Sequence, residues 1–418
     1  MRILFITDNF PPEVNAPATR TYEHARLWAA AGAKVTVLTC APNFPQGKLY
    51  PGYKNALYRR EMMDGIEVVR LWSYITANEG FLKRVIDYVS FAGSAALAGL
   101  FQRFDVIVAT SPQFFTTWAA LFISIARRRP WVFELRDLWP ASLAAVGAVR
   151  HKRLLRVLER IELFLYRRAT AVIANAPGFK LDLAARGIDP AKIHVVTNGA
   201  NLVDFQARPK DPALVRSLGL EGKFVVGYIG THGMAHGLEF IIETAAAMAR
   251  QQLCFLFIGD GAEKANVRQR AAALGLGNAL FLDSVPKELV PAYLSVTDIS
   301  LIPLRRSDTF KTVIPSKIFE CAAMGKPILL GVEGHAQALV EGHGAGLCFR
   351  PEDAADFRAK LSSLMTDADL YARCREGCFQ LARAFDRKRL AGEMLSILTE
   401  VAASRPGFRP GQANPPAA

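Results

Sequence analysis

The chain has 418 residues, 51% of them hydrophobic, and a formal net charge of +13. That length is more than one hydrophobic core normally supports, so two domains with well-filled cores are expected. The basic balance calls for an acidic partner (nucleic acid, anionic lipid or a phosphorylated substrate), and the six scattered cysteines, none in a CxxC pair, argue for reduced thiols rather than disulfides or a metal.

Met1-Arg2 runs straight into the apolar stretch Ile3 to Thr7 without the parts of a cleaved secretion signal. Further short apolar runs follow at Val35 to Thr39, Val68 to Trp72, Val106 to Thr110, Trp131 to Leu135 and Ala171 to Ala174, with helical patterns between them. Near-continuous apolar runs of this kind predict a parallel sheet covered by helices on both faces, a doubly wound α/β domain. The longest apolar run, Val85 to Phe101, carries Asp87 and is too short to predict a membrane span.

Basic residues concentrate at Arg127-Arg128-Arg129 and in Val149 to Arg168. The second segment sets Leu154, Leu158, Ile161 and Leu165 on one helical stripe, with Arg150, Lys152, Arg153, Arg156 and Arg160 around it. Such a helix either lies on an anionic membrane surface or packs a core-facing stripe beneath a solvated basic face. With Val85 to Phe101 in the same half, docking on a membrane becomes an expectation. No motif for nucleic-acid binding is present.

Beyond Asn198-Gly199 the polar, proline-bearing stretch Asn201 to Pro212 reads as a linker. A second series of strands then runs through Phe224 to Ile229, Leu253 to Ile258, Ile299 to Pro303 and Pro327 to Gly331, with helices at Leu238 to Arg250 and Glu263 to Leu274 and again after Glu352. The expected division is a first domain over 1–205, a second over 206–384, a last helix over 385–403 and a disordered Pro/Gly/Ala-rich tail over 404–418. Both domains are predicted as doubly wound, Rossmann-like parallel-sheet folds facing a cleft.

In open parallel sheets, ligands bind where strands end and helices begin. Two stretches lie at such points in the first half: Thr7 to Ala16, which precedes a helix carrying Arg20, and Phe133 to Pro140, where Arg136 and Asp137 interrupt an apolar strand end. In the second half, Gly230-Thr231-His232-Gly233-Met234-Ala235-His236-Gly237 follows a strand and suits close approach of backbone to a phosphate, although it fits neither GxGxxG nor a P-loop. Ile258-Gly259-Asp260-Gly261 reads as a turn with Asp260 as helix cap. The DxD at Asp367-Ala368-Asp369 opens a helix, where acids complement the dipole, so no metal site is expected.

The most telling stretch is Pro315-Ser316-Lys317-Ile318-Phe319-Glu320, running on to Gly325-Lys326-Pro327. It predicts a helix that starts at Ser316 and stops near Gly325. Ser316 and Glu320 share a face of the first turn, and a capping box does not account for Glu320, because the acid would have to stand at position 319, which is Phe. A hydroxyl, a lysine and a carboxylate at a helix start suit a ligand with a diphosphate and vicinal hydroxyls, such as a nucleotide sugar.

These residues, with Ala322-Ala323-Met324-Gly325-Lys326-Pro327, resemble the donor-site signature of retaining GT-B glycosyltransferases of family four. Phe10-Pro11-Pro12-Glu13, Thr39 to Pro45, Arg136 to Pro140 and Asn198-Gly199 are similar to the branch that builds bacterial surface polysaccharides, including N-acetylfucosamine-type transferases. The resemblance implies that Glu320 holds the nucleotide ribose and that Ser316 and Lys317 bind diphosphate or sugar, with Gly230, Gly233, Thr312 and Val285 also on the donor side. It implies catalytic parts for Asp137, Arg136 and His236, acceptor contacts at Asn15 and Arg20, and a metal-independent reaction with retention and no cofactor.

Three positions depart from the pattern: Thr312 stands at the family's first glutamate, Thr231 and His236 at its diphosphate-loop arginine and lysine, and Asn15-Ala16 at its paired glycines. Lys317 and its helix dipole, or a protonated His236, would then have to supply the positive charge. The expected activity is transfer of an N-acetylated sugar from a UDP-sugar to an undecaprenyl-diphosphate-linked or saccharide acceptor, on the cytoplasmic face of a membrane. A nucleotide-sugar epimerase of the same fold and a noncatalytic binding protein are the alternatives.

Overall fold

The computed structural model describes residues 1–44, 46–76, 81–111, 114–138, 140, 151–248 and 252–404. The chain forms two compact units, Met1–Thr197 with Lys388–Ala418, and Asn198–Arg387.

The first unit is built on an eight-stranded sheet of β1 (Arg2–Ile6), β2 (Lys34–Cys40), β3 (Tyr58–Met63), β4 (Ile66–Leu71), β5 (Val106–Thr110), β6 (Trp131–Leu135), β7 (Ala171–Ala174) and β8 (Ile193–Val195), in the order β3-β4-β2-β1-β5-β6-β7-β8. Every pairing is parallel except β3 with β4, a hairpin turning at Asp64 and Gly65. Buried aliphatic strands such as β5 need cover on both faces. That cover comes from α1 (Ala16–Ala30), α2 (Phe81–Leu100), α3 (Phe114–Arg127), α4 (Lys152–Arg168) and α5 (Pro177–Ala185). The strand order reverses between β1 and β5, which places the switch point, where ligands of such sheets bind, at the loops that follow those two strands.

The second unit carries β9 (Phe224–Ile229), β10 (Leu253–Ile258), β11 (Ala279–Leu282), β12 (Ile299–Pro303), β13 (Ile328–Gly331) and β14 (Gly346–Cys348) in the order β11-β10-β9-β12-β13-β14, all parallel. Its helices are α6 (Pro212–Ser217), α7 (Leu238–Ala246), α8 (Lys264–Ala273), α9 (Val290–Ser295), α10 (Lys317–Ala323), α11 (His335–Gly342), α12 (Ala354–Thr366) and α13 (Ala368–Ala384). Here the switch point lies between β9 and β12. The loops leaving those strands are the glycine stretch after Ile229 and the segment that leads into α10.

The last helix, α14 (Arg387–Ala403), belongs to the first unit from Lys388 onward. The Trp28 indole on α1 donates to the Ala391 carbonyl at 2.8 Å. The chain passes between units at Thr197/Asn198 and returns at Arg387/Lys388, and just inside the second unit Ala200 and Asp386 form a parallel bridge. Residues 198–205, counted from sequence with the first domain, are therefore part of the second unit, where Phe205 joins the core around Phe319 and Met324.

Four strands escape the sequence pattern: β3, β8, β11 and β14. β3 (Tyr-Arg-Arg-Glu-Met-Met) is an exposed edge strand and so has no apolar run to announce it, while the others have three or four residues. The helix expected to reach Arg250 ends at Ala246, and Arg250 lies outside the described residues. So do Trp139, Arg150 and all but the first residue of the expected tail.

On α4 the predicted stripe faces the core only in part: Leu165 is fully buried, Leu158 and Ile161 are half-buried and Leu154 is 41% exposed. Val157 and Phe164 are exposed as well. Among the described residues no helix is long and apolar enough to cross a membrane.

Candidate functional site

The glycine stretch leaves β9 at Gly230, whose φ of +147° is one that side-chain-bearing residues rarely adopt. Space enforces the same choice, since a Cβ on Gly230 would sit 2.6 Å from the Lys317 ammonium. Lys317, the first residue of α10, therefore reaches back across the switch point to the end of β9. Its Nζ lies 4.0 Å from the Tyr228 ring centroid, is shut off from solvent, and makes no hydrogen bond. Burial pushes this ammonium down to about 8, with only distant support from Cys321 and Glu320. A buried ammonium over an aromatic face with no hydrogen-bond acceptor, beside a glycine that leaves it room, makes Lys317 a candidate anion-binding group.

α10 runs for only seven residues, so its dipole is small and charge neutralisation rests on the Lys317 side chain. Ser316 occupies the N-cap but its side chain caps nothing, which leaves the hydroxyl available. Glu320 does not close a capping box either: its Oε1 accepts from the Lys287 ammonium. Thr312 spends its hydroxyl inside its own 3₁₀ turn, on the Thr309 carbonyl at 2.9 Å. Val285 is half-buried and packs on the unit's core just after β11.

His236 does not supply the missing charge. Burial, reinforced by the nearby Lys317 charge, pushes it down to about 3, and its Nδ1–H donates to the Gly233 carbonyl at 3.3 Å, leaving Nε2 as an acceptor. His232 is fully buried and is pushed down to about 4, first by burial and then by Lys264 and Lys317; neither of its ring nitrogens has a hydrogen bond. Both histidines are neutral chiefly because they are buried, and the Lys317 charge near each adds to the effect. Asp260 is not a helix cap: α8 begins after Glu263, and the Asp260 carbonyl holds the His232 N–H at 2.8 Å.

In the first unit Arg136 and Asp137 follow β6. The Arg136 N–H donates to Ser111 Oγ at 3.0 Å and its Nη1 to the Pro17 carbonyl at 3.4 Å, which ties the ends of β5 and β6 to the start of α1. Burial pushes the Asp137 carboxyl up to about 6, partly offset by Arg136. Asp8, after β1, is also raised by burial and lies within reach of the Arg136 charge. These groups gather at the switch point of this sheet.

Two expected acceptor contacts are engaged elsewhere. Asn15 caps α1, accepting from the Ala18 N–H at 2.9 Å and donating to Asn9 Oδ1 at 2.7 Å. Arg20 turns inward, with Nε on Glu134 Oε1 at 2.8 Å, Nη1 on the Thr197 carbonyl at 2.7 Å and Nη2 on the Val196 carbonyl at 3.0 Å. A buried guanidinium has to be paired in this way, so Arg20 serves here as a structural clamp.

Sequence reasoning missed Lys287, which has no local signal because its partner lies 33 residues away. It also missed Arg305, whose stem packs on Gly237 and whose N–H donates to the Ala235 carbonyl at 2.8 Å, fixing an exposed arginine beside the glycine loop. Among the described residues no group of three His, Cys, Asp or Glu side chains could hold a metal ion. Asp367 instead caps α13, accepting from the Leu370 N–H at 2.8 Å.

Residues 15–199 match the family described as Glycosyl transferase 4-like domain, and residues 223–367 match Glycosyl transferases group 1. The same chain superposes on sucrose-phosphate synthase from Thermosynechococcus elongatus with a TM-score of 0.78 at 17% identity, covering 97% of this chain and 100% of that one. The chain is a GT-B glycosyltransferase. This glycosyltransferase is also similar to Anabaena HepE in complex with UDP-glucose, with a TM-score of 0.73 at 19% identity over 96% of this chain and 100% of that one. In sequence it is 26% identical over 368 residues, 84% of this chain and 89% of the other, to an Escherichia coli K12 protein whose name provisionally assigns it to colanic acid biosynthesis as a glycosyl transferase. A Bacillus subtilis relative similarly assigned to teichuronic acid biosynthesis is 27% identical over 204 residues, 47% of this chain and 49% of the relative.

Proposed function

We propose that this glycosyltransferase moves an N-acetylated sugar from a UDP-sugar to a lipid-linked or saccharide acceptor, with retention, in the assembly of a cell-surface polysaccharide. The observation that carries the reading is the buried, unpartnered Lys317 ammonium beside Gly230, one helical turn from the Glu320 carboxylate. Lys317 would meet the diphosphate and Glu320 the ribose hydroxyls, and Val285 would lie on the donor side. UDP as the nucleotide draws support from the HepE complex, and the polysaccharide setting from the names of the two bacterial relatives.

With charge supplied by Lys317, departure of the diphosphate needs no metal: a fixed cation in a water-poor site stabilises the growing negative charge without reorganising. Asp137 and Arg136 are proposed on the acceptor side, where a carboxyl pushed up to about 6 can exchange a proton near neutral pH.

A lipid-linked acceptor would bring the protein to a membrane. The helices α2, α3 and α4 expose Leu97, Phe122, Ile125, Leu154 and Val157, and Phe101, just past α2, is 84% exposed. Arg127, Arg153, Arg156 and Arg160 are exposed on the same helices. Apolar side chains set among arginines suit an anionic bilayer surface.

The donor reading is tested by calorimetric titration of UDP into the wild type, Glu320→Gln and Lys317→Met. It predicts a loss of at least about tenfold in affinity for each variant, the scale of one charge-assisted contact. Wild-type affinity in both variants would remove these residues from the donor site.

A further inference from the structure

Glu320 stands between two lysines. Lys317 is three residues earlier on α10, a spacing at which side chains of opposite charge normally meet, yet its ammonium makes no hydrogen bond. Glu320 is instead engaged by Lys287, which comes from the 3₁₀ turn Lys287–Leu289 after β11. Lys287 is itself held on a second side, since its Nζ lies 4.8 Å from the centroid of the Phe205 ring, which is 3% exposed and set in the core. That arrangement is directional. Lys287 takes Glu320 Oε1, and Oε2 makes no hydrogen bond to the described residues.

We propose that Lys287 is a positioning residue: it holds Glu320 by one oxygen so that the other faces the donor ribose, and it keeps the carboxylate off Lys317 so that the buried ammonium stays unpaired for the diphosphate. The inference rests on the donor-site reading of Glu320. Two recognition groups one turn apart would otherwise neutralise each other, and each would have to be pulled free before a nucleotide could bind. A third charge anchored on an aromatic ring removes that cost before the ligand arrives. A lysine at 287 would thus contribute to nucleotide affinity without touching the nucleotide.

The test is calorimetric binding of UDP and 2′-deoxy-UDP to the wild type, Lys287→Met, Lys287→Arg, Glu320→Gln and the Lys287→Met/Glu320→Gln double variant, with a thermal melt of each. The inference predicts that Lys287→Met weakens UDP about tenfold, that Lys287→Arg recovers most of the loss, and that Lys287→Met costs less than about twofold once Glu320 is Gln. It also predicts a smaller Lys287→Met effect on the deoxy ligand. Further, the pH at which UDP binding weakens moves upward in Lys287→Met, because Glu320 then pairs with Lys317.

If Glu320→Gln binds UDP like the wild type, the donor-site reading itself fails. If Glu320→Gln is weakened while Lys287→Met is not, only the positioning role falls. Losses in the single variants that simply add in the double variant, tracking a fall in melting temperature, overturn it too.

Discussion

Lys317 carries two pH signatures of opposite sign. Its folded-state pKa near 8 lies below the ordinary lysine value of 10.5, so between those limits the unfolded chain holds a proton that the folded chain has released. Stability contributed by this group therefore rises as pH climbs from about 8 to 10.5, and below pH 8 the full cost of burying the ammonium is borne. Lys317→Met should then melt higher than the wild type at pH 7, with the gap closing by pH 10. UDP binding follows the opposite course, because the charged form is the binding form: wild-type affinity should fall by up to tenfold per pH unit above 8. Melts and titrations at pH 7, 9 and 10 check both, and a pH-independent difference between wild type and variant would remove the buried charge from the account. Legibility from sequence also divides at this scale. Ser316, Lys317 and Glu320 lie within five residues and announce themselves by spacing. Lys287 and the inward turn of Arg20 are made by tertiary pairing over 33 and 114 residues, and no local pattern records them.

At the scale of elements, long apolar strands such as β5, β9 and β10 were plain in the sequence because both their faces are buried. The edge strands were not, because an exposed or three-residue strand carries little hydrophobic period. The helix α10 was foreseen with its stop at Gly325, which takes a φ of +62°. α4 was foreseen as a basic amphipathic helix, but the sequence could not tell which of its apolar residues the sheet would cover. The structure buries Leu165 and leaves Leu154 and Val157 exposed, as it does Phe122 of α3 and Phe101 just past α2. Replacing Phe101, Phe122 and Val157 together by Ser should cut sedimentation with phosphatidylglycerol vesicles about tenfold or more, since each lost apolar contact is worth on the order of 1 kcal/mol. UDP affinity should be unchanged. Equal sedimentation of variant and wild type would dismiss this face as a docking surface.

For the whole molecule, the two-domain α/β plan follows from length and from two series of strands, and each unit places its chemistry at its own switch point. The groups fall into different kinds. The second unit offers a buried ammonium without a hydrogen-bond partner and a held carboxylate, while the first offers Arg136 beside Asp8 and Asp137, whose carboxyl pKa values are raised by burial. A unit proposed to bind the nucleotide, joined to one with titrating carboxyls, is the division a transferase with two substrates requires, whereas an epimerase or a binding protein needs no second substrate. The most direct test is UDP release from a panel of UDP-N-acetyl sugars, measured with and without an undecaprenyl-diphosphate-linked saccharide acceptor. The account predicts acceptor-dependent release of UDP, matched by a glycosylated lipid product and suppressed in Lys317→Met. Conversion of the sugar to an epimer without acceptor, or binding of UDP-sugars with no turnover across the panel, would contradict it.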